Sequence, residues 1–215
     1  MARRLMPTRA TSHPRRSGSQ SHSDLYSCPV ITVVDYDPAW PARFEDLRAE
    51  YAAAMAAAGV PVVAIEHVGS TSVPGLAAKP IIDCDIVVDE HDVRAASNVM
   101  TDLGFTPLGE LGVPLRWAFK EPARLERTNT YVIVAGCLSL RNHLALREVL
   151  RNDQELRDEY AALKKRVSLE AANIDDYGQS KNQVVLKILA AAGLAESDIA
   201  SIAGNQIPTH DELPR

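Results

Sequence analysis

Ile81 to Val88, IIDCDIVV, has the apolar, β-branched composition of a buried strand, yet it carries two carboxylates. Side chains alternate across a strand, so Asp83 and Asp85 share one face and Cys84 takes the other. Carboxylates at i and i+2 stand roughly 6–7 Å apart. At an effective dielectric of about 20 they repel by roughly 2–3 kcal/mol. The pair therefore needs a cation, a basic neighbour or solvent, and any fold must turn one face of this strand to a site or to water while the other enters a core. Magnesium suits the pair, being hard, oxygen-seeking and content with one or two protein carboxylates plus phosphate oxygens and water. The plain alternative is a strand with a solvated Asp-x-Asp.

The residues ahead of the strand narrow the choice. Gly69-Ser70 closes a preceding hydrophobic run, Val62 to Val68, and twelve residues separate Ser70 from Asp83. Glycine lets a backbone approach a phosphate closely. Ser70, Thr71 and Ser72 offer hydroxyls and can cap a short helix, whose free N–H groups attract anions. The layout is that of a phosphate-cradling turn followed by a strand that carries a divalent metal. Lys79, at the entrance to the strand, is placed to pair with a nucleotide phosphate or with Asp83, or is a surface lysine. His67 either orients the turn, meets the ligand, or is hydrogen-bonded structure.

Val68-Gly69-Ser70 and Asp83-Cys84-Asp85-Ile86 resemble the nucleotidyltransferase superfamily pattern of the DNA polymerase β-like fold: a hydrophobic residue, Gly, Gly or Ser, a gap of about a dozen residues, then Asp-h-Asp/Glu-h. The longer run EHVGSTSVPGLAAKPIID, Glu66 to Asp83, resembles the signature of the GrpB-like family. Val33 to Glu45, VVDYDPAWPARFE, is similar to that family's opening segment, and RNHLALREVLR, Arg141 to Arg151, to its later helix. EYAALKKRV, Glu159 to Val167, and YGQSKNQVVLKIL, Tyr177 to Leu189, resemble its C-terminal helices. The resemblance covers residues 31–193. It implies that Asp83 and Asp85 hold magnesium on the phosphates of a nucleoside triphosphate and serve catalysis. Gly69, Ser70 and Thr71 would bind phosphate, helped by Lys79, Arg147 and Lys181. An acceptor hydroxyl, its owner unknown, would attack the α-phosphate in line and release pyrophosphate.

One departure matters. Nucleotidyltransferases add a third carboxylate from a later strand, and the corresponding segment here, Thr128 to Val134, contains no Asp or Glu. Many GrpB-like proteins carry histidine there; this chain has Asn129 and Tyr131. A catalyst must then recruit another base. His143 is the chemical favourite, since its ordinary pKa of about 6.5 suits proton abstraction near neutrality. Glu66 ranks lower, because alternation from Val68 is expected to turn it toward the core. The runner-up function is a non-catalytic nucleotide-binding or accessory module of the same fold, as in fusions of similar domains to dephospho-coenzyme A kinase.

The rest of the chain reads as follows. Residues 1–29 lack periodicity and form an expected disordered basic leader; 30–193 is the folded domain and 194–215 a C-terminal tail. Ile31 to Val34 reads as a first strand. Phe44, Leu47, Tyr51 and Met55 recur at helical spacing between Pro38 and Ala58, and Gly59 ends that helix. Asp92 to Leu103 reads as a helix, Leu115 to Lys120 and Thr128 to Val134 as strands. Beyond Gly136 three helical segments follow: 138–150, 154–171 and 176–192. Strands come first and helices last, which predicts an α+β class: a small mixed sheet packed with helices, then a C-terminal helical segment.

On that scheme His143 and Arg147 lie at i and i+4 on one helical face, and Arg147 suits bidentate phosphate contact. Lys164, Lys181 and Arg116 are further candidates for a basic rim, each with the alternative of a solvated side chain. Ser70 has no His-Asp company for a hydrolytic role. Composition bounds the partners. Five arginines and no acid fall in residues 1–20, which leaves 18 of the 23 basic residues against all 28 acidic ones in the remainder. That acidic body argues against a broad nucleic-acid-binding face. No run has the length of a membrane span, and the three separated cysteines, Cys28, Cys84 and Cys137, fit a cytoplasmic protein.

Overall fold

The computed structural model describes the backbone of residues 32–170 and 174–204, and their side chains except at 169–181 and 204. The expected leader over 1–29 lies outside the described residues, as does the Lys181 side chain. The described part is α+β. Five strands form one mixed sheet in the order β1-β2-β5-β4-β3, with β1 Ala64–Val68, β2 Ile82–Val88, β3 Thr106–Gly109, β4 Arg116–Lys120 and β5 Thr128–Val134. The central pair, β2 and β5, is parallel and the other pairs are antiparallel. Helices α1 Trp40–Ala57 and α2 Val93–Asp102 come from the sheet-forming half. Helices α3 Leu138–Asn152, α4 Gln154–Glu170, α5 Ile174–Ala191 and α6 Glu196–Gly204 follow the last strand.

The apolar residues of α1 recur every three or four positions, and Trp40, Phe44, Leu47, Tyr51 and Met55 are all buried. They join Cys84, Ile86 and Val88 of β2 in the main core, so one face of the metal-candidate strand is sealed under α1. Fully burying side chains of this size is worth about 1.5–3 kcal/mol each. A second cluster unites Val73 and Leu76, from the loop between β1 and β2, with Leu150, Leu156, Tyr160 and Ile188 of the C-terminal helices. The helical segment thus grips the Gly-Ser loop directly.

Three elements differ from expectation. Ile31 lies outside the described residues, and among the described residues of the expected first strand, 32–34, only Val34 pairs, in an isolated antiparallel bridge to Ala78. β3 has no counterpart in the sequence pattern: it is a four-residue edge strand, TPLG, with a proline, a glycine and a register shift, and so lacks alternation. The segment 194–215, expected as a tail, contains α6, held to α3 by an Arg141–Asp198 ion pair at 2.8 Å.

Candidate active site

Register decides which side chains meet. Asp83 and Asp85 of β2 stand opposite Val68 and Glu66 of β1 on one side, and beside Asn129 and Tyr131 of β5 on the other. Directly paired residues point to the same face of a sheet. Glu66, Asp83, Asp85, Asn129 and Tyr131 therefore share one face, opposite the α1 core. Glu66 is not turned toward the core, contrary to expectation: it brings a third carboxylate to the face from the strand before the Gly-Ser turn.

The two aspartates differ in access. Asp83 is partly exposed, and its Oδ1 accepts the Asn129 amide N–H at 2.6 Å. Asp85 is fully buried, so the expected pair of solvent-reachable carboxylates is only half realised. His143 of α3 covers it, with Nδ1 2.7 Å from Asp85 Oδ2. Asp85 Oδ1 and Asn129 Oδ1 are both buried and have no hydrogen-bond partner. Buried carboxylate and amide oxygens without a donor are rare and costly, and a hard cation is a partner suited to oxygens of this kind. The donor set present thus fits magnesium.

The Gly-Ser turn lies against the aspartate. Gly69 has φ +68° and ψ −171°, a conformation that side-chain-bearing residues avoid. A Cβ there would overlap Asp83 Oδ2 and lie 2.7 Å from its Cγ. Ser70–Ser72 then make a single 3-10 turn, closed by Ser72 Oγ donating to the Gly69 carbonyl at 2.6 Å. Ser70 Oγ accepts from Lys164 Nζ of α4 at 2.9 Å, and Lys164, 2% exposed, also lies over the Tyr160 ring. The solvated alternative for Lys164 is thereby excluded.

The remaining candidates are placed as follows. The Thr71 hydroxyl faces inward, donating to the Ile81 carbonyl at 3.2 Å and meeting His67 Nε2 at 3.0 Å, so it is engaged within the protein. His67 stacks on Phe44 at 4.6 Å. Burial, then the nearby Arg151 and Arg147, pull its pKa down to about 4, and it is a neutral structural residue. Arg147 donates to Glu66 Oε2 at 2.7 Å and to the His67 carbonyl at 2.9 Å, and does not stand free for phosphate. One turn on, Arg151 donates to the Ser72 carbonyl at 2.8 and 3.1 Å. His143, Arg147 and Arg151 recur every four residues, so one stripe of α3 braces β2, β1 and the turn. Lys79 is half-buried in the loop before β2. Away from the pair, Asp89, His91 and Asp92 gather at a 3-10 turn after β2, where His91 and Asp89 are exposed.

A family model described as GrpB protein matches residues 30–191. The chain is 30% identical over 163 residues to the UPF0157 protein YqkA of Bacillus subtilis (strain 168), covering 74% of this chain and 46% of that one. It thus spans less than half the length of that relative. A UPF0157 protein of Streptomyces coelicolor is 33% identical over 172 residues, covering 77% of this chain and 86% of that one. Among solved structures, the conserved protein GrpB from Enterococcus faecalis aligns with a TM-score of 0.64 at 30% identity, over 75% of this chain and 96% of that chain. The GLD-2/RNP-8 complex aligns with a TM-score of 0.51 at 13% identity, over 80% and 68%. That second likeness is one of fold alone. The chain belongs to the GrpB family.

Proposed function

We propose that this GrpB-family chain binds a nucleoside triphosphate with magnesium on the Asp83–Asp85 face and transfers its nucleotidyl group to an acceptor hydroxyl. The carrying observation is the contact between the Gly69-Ser70 turn and Asp83, which puts an anion-seeking turn against a cation-seeking carboxylate. Lys164, fixed on Ser70 Oγ, adds the positive charge that a phosphate chain requires. Asp83, Asp85 Oδ1 and Asn129 Oδ1 would hold the metal. Magnesium held there would supply charge neutralisation to the phosphates for an in-line displacement.

The chain's own residues account for the proton. His143 donates its Nδ1–H to Asp85, which fixes the tautomer and leaves the Nε2 lone pair as the base. The acceptor oxygen bonds to the α-phosphorus as the bond to the bridging oxygen breaks. The acceptor proton passes to His143 Nε2, and pyrophosphate leaves. Buried free thiols at Cys84 and Cys137 suit a reducing cytoplasm. No helix among the described residues is long and apolar enough to cross a membrane.

A second reading is favoured by Asn129, which occupies the strand position where a third carboxylate is expected: a nucleotide-binding accessory module without turnover. Pyrophosphate release, assayed with magnesium, each nucleoside triphosphate and a panel of hydroxyl acceptors, separates the two. Release that His143→Ala abolishes supports the transferase. Saturable nucleotide binding without release supports the module, and absence of both rejects the site.

A further inference from the structure

The same face carries a cation that the nucleotide site does not use. Arg116 begins β4 and pairs with Ile133, while Ala118, two residues on, pairs with Tyr131. Tyr131 in turn pairs with Asp85. Arg116 therefore shares the face of Asp85, one strand beyond β5, on the side away from Ser70 and Lys164. It is 5% exposed, and its guanidinium carbon folds back to 4.5 Å from the centre of the Tyr131 ring. The same ring is 6.2 Å from that of His143.

A buried guanidinium is ordinarily paired with a carboxylate. Among the described residues Arg116 forms no ion pair, and its Nε is buried without a hydrogen-bond partner. A ring face offsets only part of what desolvating such a cation costs. The residue before it is also held against its preference. Leu115 has φ +64°, unusual for a side chain of that size. That conformation is fixed from both ends: Leu115 N–H donates to Glu110 Oε1 at 2.7 Å, and its carbonyl accepts from Val134 N–H at 3.0 Å. Local strain maintained by specific contacts, next to an unpaired buried cation, is a mark of a built binding position.

We infer that Arg116, stacked on Tyr131, receives an oxyanion carried by the acceptor, a phosphate or a carboxylate group. This rests on the proposed transferase for the word acceptor: the triphosphate lies toward β1 and the Gly-Ser turn, so a group bound over Tyr131 approaches from the opposite side, next to the His143 ring. The acceptor would be an anionic metabolite or a chain end bearing such a group, with its hydroxyl directed toward His143. The planar guanidinium fork matches two oxygens of either anion.

The test needs no known acceptor. The ¹⁵N–¹H resonance of the Arg116 Nε is followed in the whole chain during titration with inorganic phosphate and, separately, with acetate, each with and without magnesium and a non-hydrolysable nucleoside triphosphate. A saturable shift with phosphate assigns a phosphorylated acceptor, and one with acetate a carboxylate. Arg116→Gln should weaken the responding anion at least tenfold while leaving the affinity for the magnesium nucleotide within about twofold. An Nε resonance that neither anion moves overturns the inference, and it is read on the wild-type chain, so a variant that does not fold cannot obscure it. Loss of nucleotide affinity in a folded Arg116→Gln also overturns it, because Arg116 would then belong to the triphosphate. If the anion binds but nucleotide never does, the transferase reading fails and the oxyanion site stands.

Discussion

Replacing Gly69 with alanine tests whether the turn and the aspartate are in contact. Two costs add. The backbone at φ +68° and ψ −171° is all but reserved for glycine, and holding another residue there costs about 1–3 kcal/mol. The new Cβ would overlap Asp83 Oδ2 and lie 2.7 Å from Cγ, and Asp83 is itself tied to Asn129 at 2.6 Å. Forcing that overlap costs about 1–3 kcal/mol more, as other overpacked sites do. The sum, roughly 2–6 kcal/mol, is a large share of the 5–15 kcal/mol by which domains are stable. At about 2–4 °C per kcal/mol for a chain of this size, the melting temperature should fall by at least roughly 4 °C. Calorimetry or urea unfolding measures it. The decisive comparison is the same substitution in an Asp83→Ala background, where Oδ2 and Cγ are gone and only Cβ, at 3.0 Å, remains. There the penalty should drop to the backbone share of about 1–3 kcal/mol. Equal penalties in both backgrounds, or none in the wild type, would refute the contact.

Other outcomes follow from the same geometry. His67 is neutral in the fold because burial holds its pKa at about 4, against 6.5 unfolded, so the unfolded chain takes up the proton first. Its contribution is whole above pH 6.5 and shrinks as pH falls toward 4. His67→Phe should flatten the loss of stability between pH 7 and pH 5, and an unchanged acid slope would contradict this. Arg147→Met removes the bond to Glu66 and the bond to the His67 carbonyl, and should lower stability by about 1–3 kcal/mol, seen as a lower urea midpoint with unchanged slope. The Cys84 thiol is fully buried, and burial followed by Asp85 and Asp83 pushes its pKa up. In a chain with Cys28 and Cys137 replaced by serine, its alkylation should track unfolding and accelerate with urea. Prompt labelling in native buffer would show that the β2 core is open.

Much of this arrangement is legible in the sequence. The alternation of IIDCDIVV put Asp83 and Asp85 on one face because a strand permits nothing else, and Gly69 marked a backbone position that no other residue fills. What stayed hidden depends on strand order and tertiary reach. Alternation from Val68 points Glu66 toward the core, whereas the pairing of Glu66 with Asp85 puts it on the site face; which face of β1 is which depends on its register with β2, and that register is absent from a single sequence. Lys164 and Ser70 are 94 positions apart and meet only because α4 packs on the loop through Tyr160, Val73 and Leu76. A helical lysine looks solvated until that packing is known. Arg151 gives no signal in the sequence for the same reason, since its partner is a carbonyl that no side-chain pattern reveals. β3 has no period to detect, being a four-residue edge strand with proline and glycine, and α6 is a nine-residue helix, too short to show a sustained one.

On the proposed function, a magnesium-bound triphosphate sits between the Gly69-Ser70 turn and the β2 carboxylates. Isothermal titration calorimetry of the whole chain with a non-hydrolysable nucleoside triphosphate tests it most directly, run with magnesium, with chelator, and with Asp83→Asn in magnesium. Binding should be saturable, require magnesium and weaken at least tenfold, about 1.4 kcal/mol, in a folded Asp83→Asn variant. Binding of equal strength with and without magnesium, or in wild type and variant alike, would contradict it.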